Sequence, residues 1–173
     1  MTPDDEVDVE PEKPSEPIVV PDDDKEETTT SKVPTVTLNN GVKMPVIAAG
    51  TYQFNANTVL SEIKEAINQG WNHVDTAHDY CADGSISKLR ACSEGSVQPA
   101  VGQAFRESGL NREDLFITTK VPGCGLQGTR WWNCGADSIE AHQQNLEELQ
   151  LDYVDLLLVH FPPLGGCGPL NCM

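Results

Sequence analysis

From residue 33 onward the apolar positions follow two alternating periods. VTLNNGVKMPVI (36–47) holds two β-prone runs around Asn39, Asn40 and Gly41, a hairpin pattern in which the glycine tolerates positive φ. Val46 to Gly50 forms a small apolar strand that leads into Thr51 and Tyr52. NTVLSEIKEAINQG (57–70) then sets Val59, Leu60, Ile63, Ala66 and Ile67 on one helical face, with Asn57 or Thr58 as the expected N-cap and Gly70 at the end.

The same order recurs twice. HVDTA (73–77) reads as a strand, QPAVGQAFRESG (98–109) as a helix closed by Gly109, and LFITTK (115–120) as a strand. After a Gly-rich loop, DSIEAHQQNLEELQ (137–150) has capping-box spacing between Asp137 and Glu140, with Ile139, His142, Leu146 and Leu149 on one face. YVDLLLVH (153–160) follows as a strand, apolar nearly throughout. Strands that alternate with helices and are themselves unalternating imply parallel βα units buried on both sides, an α/β fold. No strand is followed by the G-x-G-x-x-G fingerprint of an open dinucleotide-binding sheet, nor by a P-loop. A barrel is therefore preferred, because its sites are built from side chains at strand C-termini.

Charge divides the chain in two. Residues 1–32 carry 12 Asp and Glu against 3 Lys, a balance of −9 out of −16 for the whole chain. This tail is rich in proline, acid and threonine and has Ile18, Val19 and Val20 as its local apolar cluster, so it is expected to be disordered. Residues 33–173 form the expected domain. A net charge of −16 disfavours nucleic acid and anionic membrane as partners. No signal-peptide pattern and no apolar run long enough to span a bilayer is recognised, so the chain is expected to be soluble and cytoplasmic.

The strand ends supply the candidate chemistry. Gly50, Thr51 and Tyr52 stand at the first, Asp75 at the second with Tyr80 five residues on, Lys120 at the third and His160 at the fourth. Side chains one βα unit apart converge on one face of a parallel barrel. This set suits carbonyl reduction: hydride addition places negative charge on oxygen, and an acid must supply a proton. A phenol is a weak acid at neutral pH, an ammonium beside a phenol favours phenolate, and a carboxylate beside the ammonium keeps it charged. Tyr80, Lys120 and Asp75 fill those roles, while His160 would orient the carbonyl and stabilise the developing oxyanion. His73, His78 and His142 read as structural or surface residues.

With these motifs assembled, the chain resembles the aldo-keto reductase family. The matching text is VTLNNGVKMPVI, AAGTYQF, GWNHVDTAHDY, REDLFITTKV and LDYVDLLLVHFP, in the family's order over about residues 34–163. The resemblance implies a (β/α)8 barrel of the TIM type, closed at its bottom by the N-terminal hairpin, that reduces aldehydes and ketones with NADP(H), or alternatively NAD(H). It implies Tyr80 as general acid/base, Lys120 and Asp75 as its tuners and His160 as the carbonyl-orienting group. It places Gly50, Thr51, Tyr52 and Asp75 at the nicotinamide end of the cofactor, and Tyr52, Tyr80 and His160 against the substrate. No metal is implied, and oligomeric state is left open.

The sequence departs from the family in three places. CADGSISKLRACSEGSV (81–97) intervenes between Tyr80 and the second helix, and Gln98 stands about where the family has a glutamate. A full barrel takes roughly 250 residues, whereas about 140 follow the tail. The chain is thus expected to hold the first four βα units of a truncated barrel, and the alternative to an enzyme is an inactive half-barrel or interaction module. Six cysteines fall in pairs, Cys81 with Cys92, Cys124 with Cys134 and Cys167 with Cys172, each within one loop of the catalytic face. Free thiols in a reducing compartment are the favoured reading; loop-stapling disulfides, and with them a secretory compartment, are the second; a metal site is the third.

Overall fold

The computed structural model describes residues 33–85, 92–125, 129 and 132–161. The acidic tail, the centre of the loop after Tyr80, and the segment with Cys167 and Cys172 lie outside these residues. Two short strands, β1 (Thr35–Thr37) and β2 (Lys43–Pro45), pair antiparallel as the hairpin pattern predicts. Gly41 supplies the turn's positive φ of 88°.

A four-stranded parallel sheet follows, in the order β3 (Ala49–Gly50), β4 (His73–Asp75), β5 (Phe116–Val121) and β6 (Leu156–Val159). Strand order equals chain order, the winding expected of successive units of a (β/α)8 barrel. The first strand is shorter than Val46–Gly50: only Ala49 and Gly50 pair, with Val74 and Asp75, while Val46 and Ile47 are exposed.

Between the strands run α1 (Ala56–Asn68), α2 (Gln98–Ser108) and α3 (Cys134–Leu149). Helix α1 buries Val59, Ile63 and Ile67, as its 3.6-residue period predicts. Its cap is Asn55, two to three residues earlier than the sequence suggests; the Asn55 side chain accepts from the Thr58 N–H. Helix α2 has Pro99 in its first turn and ends at Gly109, whose φ of 74° is the left-handed C-terminal conformation. Helix α3 begins at Cys134, about a turn before the expected start, and Asp137 accepts from the Asn133 amide instead of closing a capping box. Its inward face is also rotated: Asn145 and Leu149 are buried, and Ile139 is exposed.

One core unites the outer sheet face with the helices. Val74 and Ile117 meet Val59, Ile63, Val101, Ala104, Phe105 and Leu149. Full burial of each such Val, Ile or Leu stabilises the fold by about 1.5–3 kcal/mol. Helices α2 and α3 approach closely at Gly102, where an added Cβ would stand 2.2 Å from the Leu149 carbonyl oxygen. On the opposite sheet face His73 ties the hairpin to the sheet: its Nδ1 contacts the Pro45 carbonyl at 2.9 Å and its Nε2 the Thr118 hydroxyl at 2.9 Å. A carbonyl only accepts, so His73 carries its proton on Nδ1. Among the described residues no helix is long and apolar enough to cross a membrane.

Candidate active site

Strand register sets the site. Asp75 pairs with Thr118, Lys120 pairs with Leu158, and the His160 N–H continues the ladder to the Val121 carbonyl at 2.8 Å. Side chains alternate along a strand, so Thr118 and Lys120 share a face, as do Leu158 and His160. The same parity puts Asp75, Lys120 and His160 on the face opposite the helix-packed core. Tyr80 reaches them from the β4–α2 connection, where its own N–H is held by the Ala77 carbonyl and its carbonyl by the Val97 N–H.

Lys120 is the hub. Its ammonium contacts Asp75 Oδ1 at 2.6 Å, the Thr76 carbonyl at 3.0 Å and the Tyr80 hydroxyl at 3.0 Å. An ammonium has three hydrogens and no acceptor capacity, so all three are committed. The Tyr80 oxygen therefore accepts from Lys120, and the phenolic hydrogen remains free for another acceptor. Tyr80 is buried, with the exposed Tyr52 edge-on at 5.1 Å between ring centroids and His160 edge-on at 5.6 Å. His160 stacks on Phe161 at 4.4 Å, and its Nδ1 stands 3.0 Å from Asp79 Oδ2.

The structure thus brings Asp75, Tyr80, Lys120, His160 and Tyr52 together. Thr51 is fully buried and closes the end of β3, its N–H and hydroxyl both reaching the Asp75 carbonyl and the hydroxyl also contacting Thr76. Gly50 fronts open space: an added Cβ there would meet nothing within 4 Å. This open, side-chain-free strand end lies beside a partly exposed carboxylate, Asp75.

Three features were not legible in the sequence. Asp79 sits between a histidine and a tyrosine in a polar turn, with nothing in its spacing to mark its contact with His160. Behind the site, Gln98 is fully buried: its amide donates to Asn145 Oδ1 at 2.9 Å and Glu148 Oε2 at 2.7 Å, and its oxygen accepts from Thr119 at 2.6 Å. Asn145 in turn donates to the Lys120 carbonyl at 3.0 Å. Glu148 also accepts from Ser96 and pairs at 3.0 Å with His78, two residues before Tyr80. The Glu148 contact raises His78 above the ordinary histidine value, against burial. Burial pushes Glu148 upward, but contacts from His78, Ser96 and Gln98 outweigh it and hold the carboxyl below its ordinary value. His78, expected to be a structural or surface residue, has a structural place, paired with Glu148 beside the loop that carries Tyr80.

The cysteines require a correction. Cys81 is bonded to Cys92 and Cys124 to Cys134, where free thiols were the favoured expectation. For the first pair the backbone supplies the reason: Cys81 bridges Ser96 antiparallel and the Ala82 N–H donates to the Gly95 carbonyl, so the loop doubles back on itself. The paired Cα atoms are 5.1 Å and 5.0 Å apart, within disulfide reach.

Comparison with known proteins identifies the family. Residues 46–164 match the model of the aldo/keto reductase family. The NADP-dependent D-sorbitol-6-phosphate dehydrogenase of Malus domestica is 37% identical over 128 residues, covering 74% of this chain and 35% of that protein. Glyoxal reductase of Bacillus subtilis is 36% identical over 137 residues, covering 77% and 41%. A crystal structure of an aldo-keto reductase complexed with NADPH superposes with a TM-score of 0.57 at 30% identity, over 76% of this chain and 37% of that one. The chain spans well under half the length of these relatives. Its parallel βα units, hairpin and matching motifs are those of a barrel of the TIM type, and the chain belongs to the aldo/keto reductase family.

Proposed function

We propose that residues 33–173, following the acidic tail, carry the proton-donating part of a nicotinamide-dependent carbonyl reductase acting on small aldehydes or ketones. The observation that carries this reading is the Asp75–Lys120–Tyr80 chain, with contacts of 2.6 Å and 3.0 Å. Tyr80 gives its free hydrogen to the carbonyl oxygen as that oxygen becomes negative. Lys120 stabilises the phenolate left behind, and Asp75 holds Lys120 in place. His160 orients the substrate oxygen, and Tyr52 lines the approach to Tyr80.

The bound cofactor would supply hydride. Gly50, Thr51, Tyr52 and Asp75 would hold its nicotinamide end, and NADP(H) is favoured because relatives are named for that cofactor or solved with it. Titration of the purified 173-residue chain with NADPH, followed by fluorescence, tests the reading. Saturable binding, weakened by Asp75→Ala, is expected. A flat titration removes cofactor chemistry from this chain and leaves the alternative, a non-catalytic half-barrel.

A further inference from the structure

We propose that Asp79 is a positioning residue for His160: it fixes the ring proton on Nδ1, so Nε2 can donate a hydrogen bond only when the ring is cationic. This rests on the reading of His160 as the group that orients the substrate oxygen. Asp79 Oδ2 lies 3.0 Å from His160 Nδ1, and the two side chains are only 13% and 11% exposed. An ionised carboxylate accepts and never donates, so the shared hydrogen belongs to Nδ1. The ring has little freedom to choose otherwise. Phe161 stacks on it with an interplanar angle of 10°, Tyr80 meets it edge-on, and a ring flip would set a C–H against the carboxylate.

The groups facing His160 are Asp79 and Tyr80 from the β4–α2 connection, with the Lys120 ammonium of β5 across the Tyr80 ring, 4.8 Å from its centroid. In the neutral ring Nε2 presents a lone pair and accepts from an alcohol O–H. In the cationic ring it presents N–H and donates to a carbonyl oxygen. The charge of one imidazole thereby sets whether Nε2 accepts from or donates to the substrate oxygen. Without Asp79 the neutral ring would be free to place its proton on Nε2 and donate in either state.

Long-range proton–nitrogen correlation spectra of the ¹⁵N-labelled 173-residue chain test this, with His160 assigned by the signal lost in His160→Gln. In the neutral form, a protonated Nδ1 and an unprotonated Nε2 are expected, and Asp79→Ala should shift the proton toward Nε2. A wild-type neutral ring protonated on Nε2 overturns the proposal, and does so even if the Asp79→Ala chain fails to fold. An Asp79→Ala ring that keeps its proton on Nδ1 overturns it equally. Tautomer needs neither cofactor nor turnover, so a failed cofactor titration would sink the reductase reading while this pairing stood.

Discussion

The Lys120 ammonium donates to the Tyr80 hydroxyl across 3.0 Å, and the direction of that bond leaves the phenolic hydrogen unspent. In a chain that carries the complete barrel, Tyr80→Phe is expected to lower kcat by about 10²–10⁴-fold, the usual contribution of a general acid. Cofactor affinity should stay the same. Steady-state kinetics alongside a binding titration checks both, and turnover that survives the change removes Tyr80 from its role.

Gly102→Ala should destabilise the fold despite alanine's better helix propensity. Propensity favours alanine by about 1 kcal/mol, but the new Cβ would meet the Leu149 carbonyl oxygen at 2.2 Å and its carbon at 2.8 Å. Backbone cannot swing aside as a side chain can, so α2 and α3 must separate, at a cost of about 1–3 kcal/mol. A lower urea midpoint is the expected result. A raised midpoint would mean that the two helices are not in such close contact.

The His78–Glu148 pair should leave a signature in stability against pH. His78 is raised in the folded state, so its contribution is complete below its ordinary value of 6.5 and lost as pH rises through the folded value. Glu148 is lowered, so its contribution is complete above its ordinary value of 4.5 and lost as pH falls through the folded value. Their joint support is therefore greatest between these two ordinary values and weakens on either side. Thermal melts of wild type and His78→Gln across pH 4 to 9 should diverge most in that window; parallel curves would show that the pair contributes nothing.

The two disulfides predict that Cys81, Cys92, Cys124 and Cys134 resist thiol reagents until a reductant is added. Closing loops with sequence separations of 11 and 10 corresponds to about 3 kcal/mol each in the chain-entropy account. Reduction should thus lower the melting temperature, and mass shifts after alkylation will identify the pairs. Reaction of Cys81, Cys92, Cys124 and Cys134 in the native, unreduced chain would restore the free-thiol reading for these four.

What the sequence showed, and what it hid, follow from the range of the interactions involved. Val59, Ile63 and Ile67 repeat along one helix, so their burial is written locally, and Asp75, Lys120 and His160 stand out because strands end beside them. The cap of α1 was misplaced because Asn57 and Thr58 adjoin the first apolar residue, whereas a capping oxygen acts on an N–H three residues ahead, which selects Asn55. The first turn of α3 was missed because Gly135 and Ala136 carry no periodic signal. Asp79 with His160 spans 81 positions, and Gln98 with Glu148 spans 50. No local pattern records such a pair; the packing of the β4–α2 connection, α2 and α3 in three dimensions creates it.

Gln98 has a consequence beyond packing. Its amide donates to a Glu148 carboxylate already engaged by Ser96 and His78, so a second carboxylate at position 98 would meet the first at hydrogen-bond range. Where the resemblance implies a glutamate at the start of the second helix, this chain carries a part-buried carboxylate on the third. By this geometry Gln98→Glu is expected to destabilise the fold unless Glu148→Gln removes the facing carboxylate.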